Sequence, residues 1–183
     1  MAGKTAPAWV IERLGSHHER AGFDCDGGRG DAGNQTLNEF LSKYARQNAD
    51  KGLGRTYVAT RPGEARVRGY NTLTSSSVSF ATLPDAERKK LPRYPIPVAL
   101  IARLAVDQSE QGKGLGADLL MHALSTVLEV AERLGIRAIE VHAKHDAAKR
   151  FYLKYGFEPL VDDPLHLYIA LEKVRRAFGA AKR

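Results

Sequence analysis

The chain has 183 residues, of which 43% are hydrophobic and 27% charged. This balance fits one folded domain and excludes a disordered chain. The formal net charge of +7 favours polyanionic partners (nucleic acid, a phosphate-bearing cofactor or an acidic protein), although a basic soluble surface has the same charge. Met1–Pro7 lacks the apolar segment of a signal peptide, and no apolar run approaches the roughly 20 residues that span a bilayer. We therefore expect one cytoplasmic domain over residues 1–183, with no membrane association.

The first half of the chain predicts a mixture of strands and helices. The segments are a strand at Ala8–Leu14, a loop at Gly22–Asn34, a helix at Thr36–Lys51, a β-hairpin of Arg55–Arg61 and Arg66–Phe80, and a short helix at Leu83–Leu91. Thr36 with Glu39 has the spacing of a capping box, which predicts Thr36 as the N-cap. Gly52 is then the expected end of this helix.

The second half has a clearer pattern. The segments are a strand at Val98–Val106, a helix at Leu115–Leu134, a strand at Ile136–Ala143, a helix at Asp146–Tyr155, strands at Phe157–Leu160 and Leu165–Leu171, and a basic tail over residues 172–183. The nearly continuous apolar run Val98–Val106 is typical of a strand buried on both faces. Apolar residues at helical spacing mark the following helix, and Gly135 is its expected C-cap. The order indicates a mixed α/β fold whose hairpins exclude a purely parallel sheet.

A glycine-rich turn, Gln111-Gly112-Lys113-Gly114-Leu115-Gly116, joins the buried strand to this helix. We call it the glycine turn. Glycines let the main chain approach an anion closely, and the helix that follows offers unpaired N–H groups and the positive end of its dipole. The sequence therefore predicts a phosphate or pyrophosphate site at this turn.

Three kinds of glycine motif compete for this turn, beside a tight turn without a ligand. Gly112, Gly114 and Ala117 match the dinucleotide fingerprint, but that motif normally opens a parallel domain and here about 110 residues precede it. A Walker A motif is excluded because no Gly-Lys-Ser/Thr follows at the required spacing. Gln111, Gly114 and Gly116 match the acyl-CoA motif Gln/Arg-x-x-Gly-x-Gly/Ala.

The strand ending in Leu-Ala-Val-Asp, the glycine turn, the amphipathic helix, and the later Arg150-Phe151-Tyr152 and Tyr155-Gly156-Phe157 together resemble the GNAT acetyltransferase family. The resemblance implies a central, mostly antiparallel twisted sheet flanked by helices, with a splayed strand that binds acetyl-CoA. It implies that the pantetheine arm is held by the main chain of Leu104, Ala105 and Val106. It implies that the pyrophosphate is held by Gln111, Gly112, Lys113, Gly114, Leu115 and Gly116.

A narrower resemblance, over a core of about residues 8–171, is to the acetyltransferase toxins of toxin–antitoxin systems. It is carried by Phe23-Asp24-Cys25, Leu37-Asn38-Glu39-Phe40-Leu41, Tyr44-Ala45-Arg46-Gln47-Asn48, Gly54-Arg55-Thr56-Tyr57-Val58, Gly69-Tyr70, Pro95-Ile96-Pro97 and Arg103-Leu104-Ala105-Val106-Asp107. It implies acetylation of the α-amino group of aminoacyl-tRNA, a block of translation, a homodimer, and a small ribbon–helix–helix antitoxin. The chain departs from that family at Asp26–Gly33, where it inserts extra residues between the Phe-x-Cys motif and the helix.

Acetyl transfer needs a polarised carbonyl and a protonated leaving thiolate. We expect the N–H of Val106 to polarise the carbonyl, and the resemblance implies that Tyr152 donates the proton. A packed aromatic residue is the alternative for Tyr152.

The candidate contacts to tRNA are Arg88, Lys89, Lys90, Arg93, Lys149 and Lys154, each of which could equally be solvated surface. The histidines lack metal-ligand spacing with cysteine, so no metal is expected. Cys25 is expected to be a partly buried thiol, with a nucleophile as the less favoured interpretation.

Two other functions stay open at this stage. One is a general acetyltransferase for protein N-termini, lysines or a small amine. The other is a binding module on the same fold without catalysis, against which the intact glycine turn and Tyr152 argue.

Overall fold

The computed structural model describes residues 8–180, so the predictions for Met1–Pro7 and for residues 181–183 lie outside the described residues. The strands are β1 (Val10–Arg13), β2 (Arg55–Thr60), β3 (Gly69–Val78), β4 (Ile96–Val106), β5 (Ala138–His142), β6 (Glu158–Pro159) and β7 (His166–Ala170). The helices are α1 (Ala32–Glu39), α2 (Ala45–Asp50), α3 (Asp85–Arg88), α4 (Leu115–Ala131), α5 (Asp146–Lys154) and α6 (Leu171–Ala180). A π-helical turn, Phe40–Tyr44, connects α1 and α2.

The strands form one seven-stranded sheet in the order β1-β2-β3-β4-β5-β7-β6. β4 pairs in parallel with β5, whereas β1–β2, β5–β7 and β6–β7 are antiparallel. The prediction of a mixed, mostly antiparallel sheet flanked by helices is confirmed. Within the described chain the pairing of β4 with β5 ends at Leu100, well before β4 itself ends at Val106. The end of β4 is therefore available for another partner.

The chain divides into two compact units, and the single domain over residues 1–183 stays a prediction. In the described part of the first unit, residues 8–72 and 103–122, side chains pack on both faces of the end of β4. Ala105 packs with the buried Phe40 and Tyr70. Leu104 and Val106, which alternate with it along the strand, pack with Leu115 and Leu119 of α4, as the period of two along a strand requires.

The second unit covers residues 73–102 and, in its described part, 123–180. Its core contains Val78, Leu83, Ile96, Val98, Ala138, Leu160 and Tyr168. These residues come from β3, β4, β5 and β7 and from the segments beside them, so the apolar run that predicted a buried strand does supply core side chains in this unit.

The first helix begins earlier than its sequence predicted. Its N-cap is Asp31, whose carboxylate accepts from the N–H of Asn34 at 3.1 Å. Thr36, the predicted N-cap, lies inside α1, and its hydroxyl donates to the carbonyl of Ala32. A threonine hydroxyl can satisfy either role, and here the stronger capping carboxylate lies one turn earlier.

The ends of the other elements differ by a few residues. Leu120, Leu124 and Val127 are buried as the stripe predicted, but α4 ends at Ala131 and Leu134 is exposed. Gly135 is not in the left-handed region, so the prediction that it forms the C-cap is wrong. The described part of the tail, residues 172–180, is helical and belongs to α6. None of the helices within residues 8–180 is long and apolar enough to cross a membrane.

Candidate active site

The glycine turn presents a set of unpaired main-chain donors between β4 and α4. Gly112 has φ of 77° and Gly114 has φ of 92°. Residues with a side chain rarely adopt this backbone conformation, which explains why both positions are glycine. The carbonyl of Gly114 accepts from the first turn of α4. Within the described chain, the N–H groups of four residues donate to no main-chain carbonyl: Gly112, Gly114, Leu115 and Gly116. These donors, at the start of a 17-residue helix, suit a pyrophosphate.

A buried carboxylate lies beside these donors. The side chain of Glu110 is 1% exposed and lies 2.8 Å from Arg61, 3.2 Å from Lys113 and 3.8 Å from Arg68. Burial alone would raise the pKa of Glu110, but hydrogen bonds from Lys113 and Arg61 hold it below its ordinary value. Glu110 is therefore ionised at neutral pH, and its charge is balanced by three cations.

The side chains of Gln111 and Lys113 are exposed but hydrogen-bond to the protein. The amide Nε2 of Gln111 donates to the carbonyls of Cys25 at 2.9 Å and Val106 at 3.0 Å. The ammonium of Lys113 donates to the carbonyl of Ser109 and to Glu110. Both residues were predicted to bind the cofactor. Their N–H groups donate to the carbonyls of Gln108 and Glu110, each at 3.4 Å, so a role of either residue at the cofactor stays a prediction.

The predicted pantetheine strand, Leu104–Val106, is held from both sides of the sheet. Gly69 of β3 packs so closely against it that an added Cβ would lie 3.2 Å from the carbonyl of Ala105 and 2.8 Å from Leu119 Cδ1. A side chain at Gly69 would displace the strand or α4, because the close-packed interior leaves no room for it.

Tyr152 lies on α5, which is capped by His145, whose Nδ1 accepts from the N–H of Ala148. The ring of Tyr152 is buried and makes edge contacts with Phe151 and Phe157, with centroids 5.2 Å and 5.4 Å away. Among the described residues its hydroxyl makes no hydrogen bond. Burial raises the pKa of Tyr152, so the phenol stays protonated at neutral pH and can act as a donor.

The structure brings three of the predicted tRNA contacts into one basic groove. The groove is lined by Phe80, Ala81, Asp85, Arg88, Lys89, Leu91 and Arg93. Arg88 pairs with Asp85, whereas Lys89 and Arg93 are exposed and make no ion pair within residues 8–180. Lys90 faces away from the groove and pairs with Glu87 at 3.1 Å.

The remaining two basic candidates lie on α5 with Tyr152. Lys149 is half-buried and stands one helical turn before Tyr152, so the two side chains share a face of the helix. Lys154 is exposed, and its position two residues after Tyr152 places it on a different face. Lys149 is therefore better placed than Lys154 to contact a substrate that reaches Tyr152.

The surroundings of Cys25 are those of a buried structural thiol. The thiol is buried, its Sγ donates to the carbonyl of Asn34, and burial raises its pKa to about 11. A reactive cysteine needs a lowered pKa and an accessible sulfur.

A buried ionic cluster in the second unit was missed at the sequence level. His166 hydrogen-bonds Glu140 at 2.8 Å and Asp162 at 3.0 Å, and it stacks on His142 with centroids 4.0 Å apart. Burial lowers the pKa of His166, but the two carboxylates raise it above its ordinary value. Alternation along β5 and β7 could have placed these residues on one face, but not their pairing, which depends on the register.

Comparison with known proteins identifies relatives over nearly the whole chain. Residues 52–159 match the acetyltransferase (GNAT) domain family. The tRNA-acetylating toxin of Mycobacterium tuberculosis is 42% identical over 148 residues, which cover 81% of this chain and 87% of the toxin. The structure of AtaT complexed with acetyl-methionyl-tRNAfMet has a TM-score of 0.81 at 34% identity, covering 93% and 99% of the two chains. A Tyr-to-Phe mutant of AtaT bound to acetyl-CoA and to the C-terminus of the antitoxin AtaR has a TM-score of 0.75 at 29% identity, covering 93% and 98%.

The substitution Glu110→Gln tests the anchoring of the glycine turn. The pKa of Glu110 is lowered in the folded state. Its contribution to stability is therefore fully present above pH 4.5, the ordinary pKa of the group, and is lost as the pH falls through the native pKa. We expect the variant to lose about 1–3 kcal/mol in the free energy of unfolding near neutral pH. We also expect the gap to the unmodified protein to close below pH 4.5. Urea unfolding of both proteins over a pH series measures this; a gap that is independent of pH would contradict the ionic role.

Proposed function

The chain belongs to the acetyltransferase (GNAT) domain family, and we propose that it transfers the acetyl group of acetyl-CoA to the α-amino group of aminoacyl-tRNA. The observation that carries the proposal is the 42% identity to a tRNA-acetylating toxin over 81% of this chain. The related AtaT, complexed with acetyl-methionyl-tRNAfMet, supports the same substrate class. Such an activity removes aminoacyl-tRNA from translation, so the protein acts as a toxin.

The glycine turn and the end of β4 are the proposed site for acetyl-CoA, which supplies an activated thioester. The unpaired N–H groups of Gly112, Gly114, Leu115 and Gly116 suit its pyrophosphate. The main chain of Leu104 and Ala105 and the N–H of Val106 are the proposed partners of the pantetheine arm, since within the described residues β4 pairs with β5 only as far as Leu100. The carbonyl of Val106 already accepts from Gln111. The N–H of Val106 polarises the thioester carbonyl.

The amine needs little help from the protein. A free α-amino group has a pKa of about 8, so a useful fraction is neutral at physiological pH and can attack directly. The departing thiolate needs a proton, and Tyr152 is the proposed donor. Its support is a buried phenol that is protonated at neutral pH and has an uncommitted hydroxyl.

The groove beside α3 is the proposed tRNA contact. Lys89 and Arg93 offer cations that no carboxylate neutralises within the described chain, and phosphate neutralisation supplies most of the affinity in nucleic-acid binding. The apolar side chains of Phe80 and Leu91 that line the groove suit an unstacked base at the single-stranded acceptor end. Lys149 on α5 is a further proposed contact, whereas Lys90 and Lys154 are less favoured by their positions.

The proposed protein partners are a cognate antitoxin and a second copy of this chain. The support is the toxin resemblance and the related AtaT structure that holds the antitoxin AtaR. A small ribbon–helix–helix antitoxin and a homodimer are the forms that we propose.

Tyr152→Phe tests the proton donor. The substitution removes one hydroxyl and keeps the aromatic contacts with Phe151 and Phe157, so we expect unchanged thermal stability. We expect single-turnover acetylation of bulk aminoacyl-tRNA to slow by about 10²–10⁴-fold, the usual contribution of a general acid. Tyr155→Phe, a change of the same kind in the residue that follows the helix, is the control. A near-normal rate for the Tyr152 variant would exclude it as the donor.

Lys89→Glu and Lys90→Glu form a matched pair that tests the groove. Both reverse one charge at adjacent positions, but only Lys89 lines the groove. We expect Lys89→Glu alone to weaken aminoacyl-tRNA binding several-fold at low salt, and to reduce the slope of log K against log salt by about 1. The affinity for acetyl-CoA is expected to be unchanged in both variants. Equal effects of the two substitutions on tRNA binding would indicate a general charge effect and contradict the groove.

A further inference from the structure

We propose that Arg29, in the inserted segment Asp26–Gly33, is a positioning residue for the acetyl-CoA site, acting through Gln111. The inference rests on the proposed function of the glycine turn. It assigns a role to the segment in which this chain departs from the toxin family that it resembles.

The inserted segment, up to the N-cap Asp31, is a loop built around a buried carboxylate. Asp26 is 4% exposed, and its side chain accepts from the N–H of Gly30 at 2.8 Å, the N–H of Asp31 at 3.0 Å and the amide of Asn34 at 3.3 Å. Gly30 has φ of 74°, a conformation that lets the chain turn back around Asp26. The loop therefore has a defined shape that can place a side chain accurately.

Hydrogen bonds from Asp24 join the start of this loop to the segment before the glycine turn. The N–H of Asp24 donates to Asp107 Oδ2 at 3.0 Å, and its carbonyl accepts from the N–H of Gln108 at 2.8 Å. Asp24 Oδ1 accepts from the N–H groups of Asp26 and Gly27. The inserted loop is thus fastened beside the turn independently of Arg29.

Arg29 adds a second connection, directly to the glycine turn. Its Nη2 donates to the carbonyl of Cys25 at 2.8 Å and to Gln111 Oε1 at 3.2 Å, and its Nε donates to the carbonyl of Asp26. The guanidinium is planar, so the contacts to the Cys25 and Asp26 carbonyls fix the direction in which it meets Gln111.

The consequence lies in the orientation of the Gln111 amide. An amide has one acceptor end and one donor end, and the two can exchange by a flip. A guanidinium can only donate, so Arg29 requires the oxygen of Gln111 on its side. The Nε2 end then donates to the carbonyls of Cys25 and Val106. The two carbonyls can only accept, so Arg29 reinforces the same arrangement, the one that ties the end of β4 to the turn.

Without Arg29, the amide loses its charged donor and the connection between Val106 and the turn loosens. The donors for the pyrophosphate and the main chain for the pantetheine arm would then have to be ordered during binding, which lowers affinity. The chemical step does not involve Arg29. The expected signature is therefore a higher KM for acetyl-CoA at unchanged kcat.

The test compares Arg29→Met with Arg20→Met. Arg20 is the matched control because its guanidinium also donates to two main-chain carbonyls, those of Leu41 and Ser42, without touching the glycine turn. Calorimetry should show a Kd for acetyl-CoA raised about three- to tenfold in Arg29→Met, as expected for the loss of one exposed hydrogen bond. Arg20→Met should bind as the unmodified protein does. The kcat and the KM for aminoacyl-tRNA should stay within about twofold in both variants.

A double-mutant cycle with Gln111→Met tests the route of the effect. If Arg29 acts through Gln111, the double variant binds acetyl-CoA no more weakly than Gln111→Met alone. Equal Kd values for Arg29→Met and the unmodified protein, equal losses in Arg29→Met and Arg20→Met, or fully additive losses in the cycle would each overturn the inference. Failure of the unmodified protein to bind acetyl-CoA would instead overturn the proposed function.

Discussion

The buried carboxylate of Glu110 is the constraint on which the proposed cofactor site depends. A turn that offers several unpaired N–H groups to an anion must hold its shape without using those groups for its own hydrogen bonds. Glu110 helps to hold the shape of the turn through its contacts with Arg61, Arg68 and Lys113. Because these cations offset its charge, the carboxylate does not repel a phosphate bound nearby.

The side chains around the turn follow the same division of labour. Gln111 and Lys113 bond to the protein and leave the main chain exposed. Gly112 and Gly114 permit a backbone path that other residues rarely adopt. In the inserted segment, Asp26 gives a loop its shape and Arg29 connects that loop to Gln111. The side chains thus hydrogen-bond within the protein, and the N–H groups of Gly112, Gly114, Leu115 and Gly116 are left for the ligand.

The elements with long and regular patterns were predictable from the sequence. The buried strand β4, the glycine turn, α4 and α5 all lie close to their predicted places, because period and glycine spacing are local properties. The prediction of Thr36 as the N-cap of α1 was wrong because Thr36 and Asp31 both carry suitable oxygens. The choice between them depends on the loop before the helix. The hydrogen bond from the Gln111 side chain to Cys25 could not be predicted, since Cys25 is distant in sequence.

The basic residues could not be sorted by local pattern either. Lys89 and Lys90 are adjacent and identical in type, yet one lines a groove and the other pairs with Glu87. Both follow the end of α3 at Arg88, and the turn there sends their side chains in different directions. Composition indicated a polyanion, and only the fold separates the lysines that can meet it from those that are neutralised.

The fate of labelled acetyl groups tests the proposed acceptor most directly. The protein is incubated with labelled acetyl-CoA and bulk tRNA, charged or deacylated, alongside a protein and polyamine mixture. We predict that label enters only charged tRNA and is released by mild alkali as N-acetyl amino acid, since alkali cleaves the aminoacyl ester. Label on protein or polyamine, with charged tRNA unlabelled, would contradict the proposed acceptor.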